Sequence, residues 1–231
     1  WLNGKIDHGA VAVCGTLRHL ILTIKDVAPK GRDKAELFKG PKVQAWKTPE
    51  GAYTPAAEGF ARKHGLEPGE LKPVDGILYA EVHSKGEASH ALLQNMIPEL
   101  LKSLQFPKFM TWEESGFKFG RPLRAITALL GERIVPVELA GVRSGRGVHG
   151  HPVLAKPPAI LRDPAKHAAL LRQVLVISDP EERKQYLLKA LDLAVKATGG
   201  RTEVDLELIE ETVFMVEHPV PILGKLRDEH M

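Results

Sequence analysis

The sequence predicts an α+β protein of mixed, mainly antiparallel sheets with flanking helices, and three observations carry that reading. Runs rich in β-branched and apolar residues mix with runs of helical spacing without a regular strand-helix-strand succession. No internal repeat or low-complexity tract occurs. At 231 residues, 43% of them hydrophobic, the chain is long enough to bury a core without disulfides or metal. We divide it into an N-terminal α+β region, 1–105, with a long irregular segment at 28–55, and a second α+β region, 106–231. The second holds a hairpin at 124–142 and C-terminal helices.

LRHLILTIKDV, 17–27, is β-branched and apolar and stops near Pro29, which predicts a mostly buried strand. The proline-, glycine- and lysine-rich stretch 28–55 predicts an irregular surface segment. Thr54 before Pro55 reads as an N-cap with proline at the first helical position, opening a short helix through Ala57, Phe60 and Ala61 that stops at Gly65. GILYAEVHS, 76–84, predicts a strand; Leu92, Met96 and Leu100 place a helix over 87–104, with Pro98 inside it.

Two apolar runs flank Gly131-Glu132 in the hairpin, where Pro136 suits a bulge or an edge. Beyond it we expect a strand at 159–161, a helix at 164–172 and a strand at 174–177. A long helix at 180–197 ends at Gly199-Gly200, and an amphipathic helix at 205–217 stops before Pro219.

Thirty-two Lys and Arg against 29 Asp and Glu give a charge of +3, which permits RNA binding without arguing for it. One cysteine, Cys14, forms no internal disulfide and reads as a small buried hydrophobe. No apolar run approaches the roughly 20 residues that span a bilayer, so a soluble, cytoplasmic protein is expected. The chain opens on Trp1 without a signal-peptide pattern and is expected to be a fragment.

ELAGVRSGRGVHGHPVL, 138–154, gathers donors on a flexible backbone. It lacks the lysine and Ser/Thr pair of a P-loop and the setting of a dinucleotide loop. Arg143, Ser144 and Arg146 suit a grip on phosphate or sugar, with a solvated turn closing the strand as the alternative. His149 and His151 lie two apart, but no Cys or acid accompanies them at metal-site spacing, so no metal is assigned. FPKFMTWEESGFKFGRPLR, 106–124, interleaves Lys108, Lys118, Arg121 and Arg124 with Phe106, Phe109, Trp112, Phe117 and Phe119. That mixture stacks on bases and neutralises phosphates, or forms a small aromatic core with cations at its rim. No nucleophile or carboxylate pair stands in a catalytic pattern, so no catalytic residue is assigned.

The ordered series GTLRHL (15–20), KGP (39–41), TPAAEGFARKHG (54–65), FPKFMTW (106–112), FGRPLRAITALLGERIVPVELAGVRSGRGVHGH (119–151), VISDPEERKQYL (176–187) and VEHPVPILG (216–224) resembles a known family. It is similar to the N-terminal part of the beta subunit of bacterial heterotetrameric glycyl-tRNA synthetase. The resemblance implies that an alpha subunit binds ATP, Mg and glycine and performs the chemistry, within an alpha2-beta2 assembly. This region, with no cofactor of its own, would supply tRNA-binding surface through Arg143, Ser144, Arg146, His149, His151, Lys108, Arg121 and Arg124. It also implies an architecture like the tRNA-facing domains of the phenylalanyl-tRNA synthetase beta subunit. An opening strand before Trp1 and an HD-type domain, helical modules and an anticodon-binding region downstream would complete the subunit.

The basic loop departs from the family pattern Ser-Gly-Arg-Thr-Thr-Arg-Gly-His-Arg-Phe. Arg146, Gly150 and His151 match it. Gly147 and Val148 replace two threonines, while His149 and Pro152 replace two arginines. Its phosphate contacts are therefore expected to be weaker. The alternative function is a protein-interaction module that docks the alpha subunit or the rest of the beta subunit. Hydrolysis of mischarged tRNA is a third and weaker reading.

Overall fold

The computed structural model describes residues 2, 4–49, 51–201 and 203–224. In chain order the strands are β1 (Val11–Gly15), β2 (Leu20–Ile24), β3 (Lys34–Lys42), β4 (Lys72–Val74), β5 (Ile77–Ser84), β6 (Met110–Thr111) and β7 (Lys118–Phe119). They continue with β8 (Ile126–Thr127), β9 (Leu129–Leu130), β10 (Arg133–Ile134), β11 (Glu138–Leu139), β12 (Val142–Gly145), β13 (Gly147–Val148) and β14 (Ala159–Ile160). The helices are α1 (Pro55–Lys63), α2 (Ser89–Ser103), α3 (His167–Gln173), α4 (Pro180–Lys196) and α5 (Leu206–Met215). This is the expected α+β class with small, almost wholly antiparallel sheets; only β12 and β8 pair in parallel among the named strands. The chain falls into two compact units, one from the residues up to Asp7 with Ala28–Leu92, the other from His8–Val27 with Leu93 onward.

In the first unit β5 lies between β3 and β4, antiparallel to both. Leu78 and Ala80 of β5 are fully buried with Ala57 and Ala61 of α1, and Leu71 closes the cluster. Alanines on the buried stripe of α1 let helix and sheet approach closely, a packing reason for residues that propensity alone also favours. The start of α1 is as expected: Thr54 Oγ1 accepts from the Ala57 amide at 3.3 Å, Pro55 sits in the first turn, and Gly65 follows the helix at φ +71°.

The segment 28–55 is not irregular throughout, which corrects the sequence reading. Its middle forms β3, nine residues long, paired from Lys34↔Ser84 to Lys42↔Ile77 with a register shift between Lys39 and Lys42. Lysines and Pro41 suggested a loop, but β3 is an edge strand, where exposed charge and a proline beside a bulge are tolerated. Gly40 is required at that bulge, because a Cβ there would collide with the ring of Phe60.

In the second unit β1 and β2 form a hairpin with Cys14 opposite Ile21. The strand expected to be mostly buried is largely exposed: Leu20 is 62% and Leu22 42% accessible. A two-stranded ribbon offers only one face to a core. Ile21 takes that face, packing on the cluster of Val148, Leu161, Leu171, Val174 and Val176. Cys14 is likewise only partly buried.

The hairpin at Gly131 exists as the short β9–β10 ladder, with Gly131 at φ +55°. Past Pro136 the chain instead forms β11–β12, turning through Ala140 and Gly141, both at positive φ. Residues 174–177, expected as a strand, form none. The Val176 amide reaches back to Leu171 O and the Leu175 amide to Arg172 O, with Leu175 at φ +59°, so the run closes the C-terminus of α3. Its apolar character reflects burial beneath that cap, a pattern that short apolar runs share with strands. α4 and α5 pack through Leu187, Ile209 and Val213, each helix opened by an aspartate cap, Asp179 and Asp205. α5 stops at Met215, and Val216 is already extended.

Candidate nucleic-acid interface

The basic loop runs through β12 and β13, and most of its polar groups bond to neighbouring backbone. Ser144 Oγ donates to Val135 O at 2.7 Å and accepts from the Val137 amide at 2.8 Å. Arg146 reaches Leu161 O at 3.3 Å, Arg162 O at 3.4 Å and Glu132 O, and lines a cleft of about 420 Å³ with Glu132, Ile160 and Arg162. His151 Nδ1 accepts from the Val153 and Leu154 amides, while its own amide donates to Val174 O at 2.9 Å. Gly150 lies so close to Val174 that no side chain fits. Arg143 alone of the loop's cations is turned outward, in an exposed pair with Glu138, its cross-strand partner, at 2.9 Å. Arg146 meets backbone carbonyls and no carboxylate among the described residues.

The segment 106–124 folds around the β6–β7 hairpin, with Met110 opposite Phe119 and Thr111 opposite Lys118. Phe119 is buried; Phe106 packs edge-on against it at 4.7 Å between centroids, and Phe117 stacks on it at 5.5 Å. A small aromatic core therefore exists here. Lys108, Lys118, Arg121 and Arg124 are exposed around it, with no acidic partner among the described residues. No three His, Cys, Asp or Glu side chains among the described residues come together as a metal site.

A junction that the sequence reading did not single out lies beneath the basic loop. Glu217, from the tail after α5, has a fully buried side chain. Its Oε2 accepts from Arg18 Nε and Nη2 at 2.9 and 2.5 Å. Thr16 Oγ1 donates to its Oε1 at 2.5 Å, and His19 Nδ1 lies 2.7 Å from the same oxygen. The other His19 nitrogen lies 2.9 Å from His149 O in the loop. Both His19 nitrogens thus lie within hydrogen-bonding distance of an oxygen, one on Glu217 and one on His149. Burial would raise the Glu217 carboxyl, but the hydrogen bonds from His19, Arg18 and Thr16 outweigh it and hold it at about 2. Burial, reinforced by His19, lowers the nearby His167.

Arg183 on α4 is also fully buried and donates to Val213 O at 2.7 Å, to Ile177 O and to Ser178 O. A weaker contact of 3.5 Å reaches Gly15 O. Burial pushes its guanidinium down from its ordinary value, against the attraction of Glu217 and Asp179. Two stretches far apart in sequence, GTLRHL and VEHPVPILG, meet in this junction. The available signal was a lone acid in an apolar, proline-bounded tail, since such a residue is rarely buried unless paired.

The family model described as glycyl-tRNA synthetase beta subunit matches residues 2–231. A glycine–tRNA ligase beta subunit of Desulfitobacterium hafniense is 34% identical over 231 residues, 98% of this chain and 33% of the relative. The Halothermothrix orenii protein of the same name is 34% identical over 221 residues, covering 96% of this chain and 32% of the relative. That of Anaeromyxobacter dehalogenans is 35% identical over 235 residues, at 99% and 33%. The chain spans about a third of the length of these curated relatives. With a family match over nearly its whole length, the chain belongs to the glycyl-tRNA synthetase beta subunit family.

Proposed function

We propose that this chain is a tRNA-binding accessory region of a cytoplasmic glycine–tRNA ligase, supporting ATP-dependent charging carried out on an alpha subunit within an alpha2-beta2 assembly. ATP and Mg belong to that partner in this reading. The carrying observation is the surface of 106–124, where Lys108, Lys118, Arg121 and Arg124 stand exposed without acidic partners among the described residues. Charges left uncompensated by the protein are available to phosphates. Arg143 adds a surface cation and His149 an exposed imidazole, while Ser144, Arg146 and His151 set the shape of the loop behind them. A likeness to the tRNA-facing domains of the phenylalanyl-tRNA synthetase beta subunit is part of the same proposal.

The test is tRNA affinity across a salt series for the parent and for Lys108→Ala/Arg121→Ala/Arg124→Ala. Each lost phosphate contact reduces the slope of log K against log salt by about 0.7–0.9, so a shallower slope is expected. An unchanged slope overturns the assignment of these three cations.

Docking on another protein surface is a second reading, favoured by the exposed apolar run of Phe214, Met215, Val220, Ile222 and Leu223 at the end of α5 and beyond. Co-purification with an alpha subunit, lost on Phe214→Ser/Ile222→Ser, supports it. Retention of the complex in that variant removes it.

A further inference from the structure

We infer that the β6–β7 hairpin and its flanks form a binding site for unpaired RNA bases, with Trp112 and Phe109 as stacking surfaces. This rests on the tRNA reading above and narrows it to single-stranded parts of the RNA. The aromatics of 106–124 divide into two sets. Phe119, with Phe106 and Phe117 packed on it, makes the small core. Phe109, Met110 and Trp112 remain 41%, 55% and 40% accessible. Exposed apolar side chains are common on a protein surface, and what sets these apart is that two of them are rings fixed in place beside exposed cations.

The exposed rings are also held in place. Trp112 Nε1 donates to Phe119 O at 2.9 Å, and Phe109 packs edge-on against Phe106 at 5.6 Å between centroids. A fixed ring loses little freedom on binding, which favours a preorganised platform.

Charge specifies the occupant. Lys118 lies opposite Thr111, beside Trp112 in sequence, and Lys108 precedes Phe109; Arg121 and Arg124 follow the hairpin. The nearby Glu113 carboxylate is taken up inside its own turn by the Ser115 amide and hydroxyl and the Phe117 amide. With Glu114 the one exposed carboxylate of the segment against Lys108, Lys118, Arg121 and Arg124, the surface around the exposed rings stays net positive and fits a polyanion that carries flat apolar groups. In a duplex the bases are stacked on one another and closed to protein rings, whereas unpaired bases splay out and stack on them.

The experiment uses the full chain with three RNAs: an oligouridylate of about 12 nucleotides, within the usual site sizes for single strands, a duplex of the same length, and whole glycine tRNA. Trp112→Ala is expected to weaken oligouridylate binding roughly five- to a hundredfold, while Trp112→Phe, which keeps a ring, retains most of it. Duplex affinity is expected to stay unchanged in both. Oligouridylate should quench indole emission in the parent and lose most of that quenching in Trp112→Phe, where Trp1 and Trp46 remain as internal controls.

Phe109→Ala, which breaks no hydrogen bond of the hairpin, is expected to weaken oligouridylate binding in the same direction. Equal losses in Trp112→Ala and Trp112→Phe, with Phe109→Ala unaffected, assign the indole to the fold and overturn the inference. Unchanged oligouridylate affinity in all three variants, with tRNA binding still salt-dependent through Lys108, Arg121 and Arg124, overturns it and leaves the tRNA reading standing. Failure to bind any of the three RNAs overturns both.

Discussion

Arg18–Glu217 and Arg143–Glu138 are pairs of the same chemistry in the same compact unit, and their surroundings differ at every point. The Glu217 side chain has no solvent access, and its two oxygens take four hydrogen-bonding partners from three residues of one turn. Glu138 and Arg143 face each other across β11 and β12 with side chains 59% and 80% exposed. Water already solvates the second pair, so its formation gains little. In the first pair a closed set of donors replaces the hydration lost by Glu217, and removing those donors strands the buried carboxylate, whereas Arg18 keeps 37% of its side chain exposed. What stabilises is therefore the buried carboxylate with all its hydrogen bonds made, rather than the ion pair as such.

The largest expected break is Glu217→Ala, which leaves Arg18 and His19 without their acceptor. It should cost about 2–3 kcal/mol in urea unfolding of the chain, because four hydrogen bonds to a charged group are lost while Arg18 retains access to water. A loss under about 0.5 kcal/mol would remove the contrast between the two pairs.

The acid limb of stability comes next. A carboxyl held at about 2 in the folded state against 4.5 unfolded binds fewer protons folded than unfolded between those values. Its contribution, on the order of 3 kcal/mol, is therefore complete above 4.5 and lost as the pH falls toward 2. Unfolding free energies measured from pH 6 down to pH 2.5 should fall more steeply for the parent than for Glu217→Gln; parallel curves would show that the carboxyl is not held low.

Thr16→Val is expected to cost about 1–2 kcal/mol, because its hydroxyl donates to Glu217 and also accepts from the Arg18 and His19 amides. Thermal unfolding checks this, and an unshifted midpoint would mean the hydroxyl is dispensable. The smallest effect is reserved for Arg143→Ala, under about 0.5 kcal/mol and fading with added salt. A large, salt-independent loss there would place Arg143 in the fold and not on its surface.

Legibility followed the range of the deciding interaction. α1 was readable because Thr54, Pro55 and Gly65 act within a few residues of one another. β3 was not, because lysines and Pro41 look the same in a loop and on an edge strand until β5 supplies the partner. Residues 174–177 misled for a related reason, since an apolar run buried under a helix cap has the composition of a core strand. At the candidate interface, the residue types of 106–124 announced rings and cations. Which rings the core consumed and which it left exposed depended on packing. Arg146 shows the same limit, for its three carbonyl partners come from two other segments.

By itself the sequence determined the α+β class, the capped helices, the cations of segment 106–124 and the ordered motifs that match the family, because each is written in local spacing and residue chemistry. Only the tertiary structure decided that Glu217 would meet His19, 198 residues away, and that Arg183 would be buried among backbone carbonyls. Such contacts form when packing closes distant segments together and water leaves. A buried charge survives there only because the fold supplies every partner it has lost.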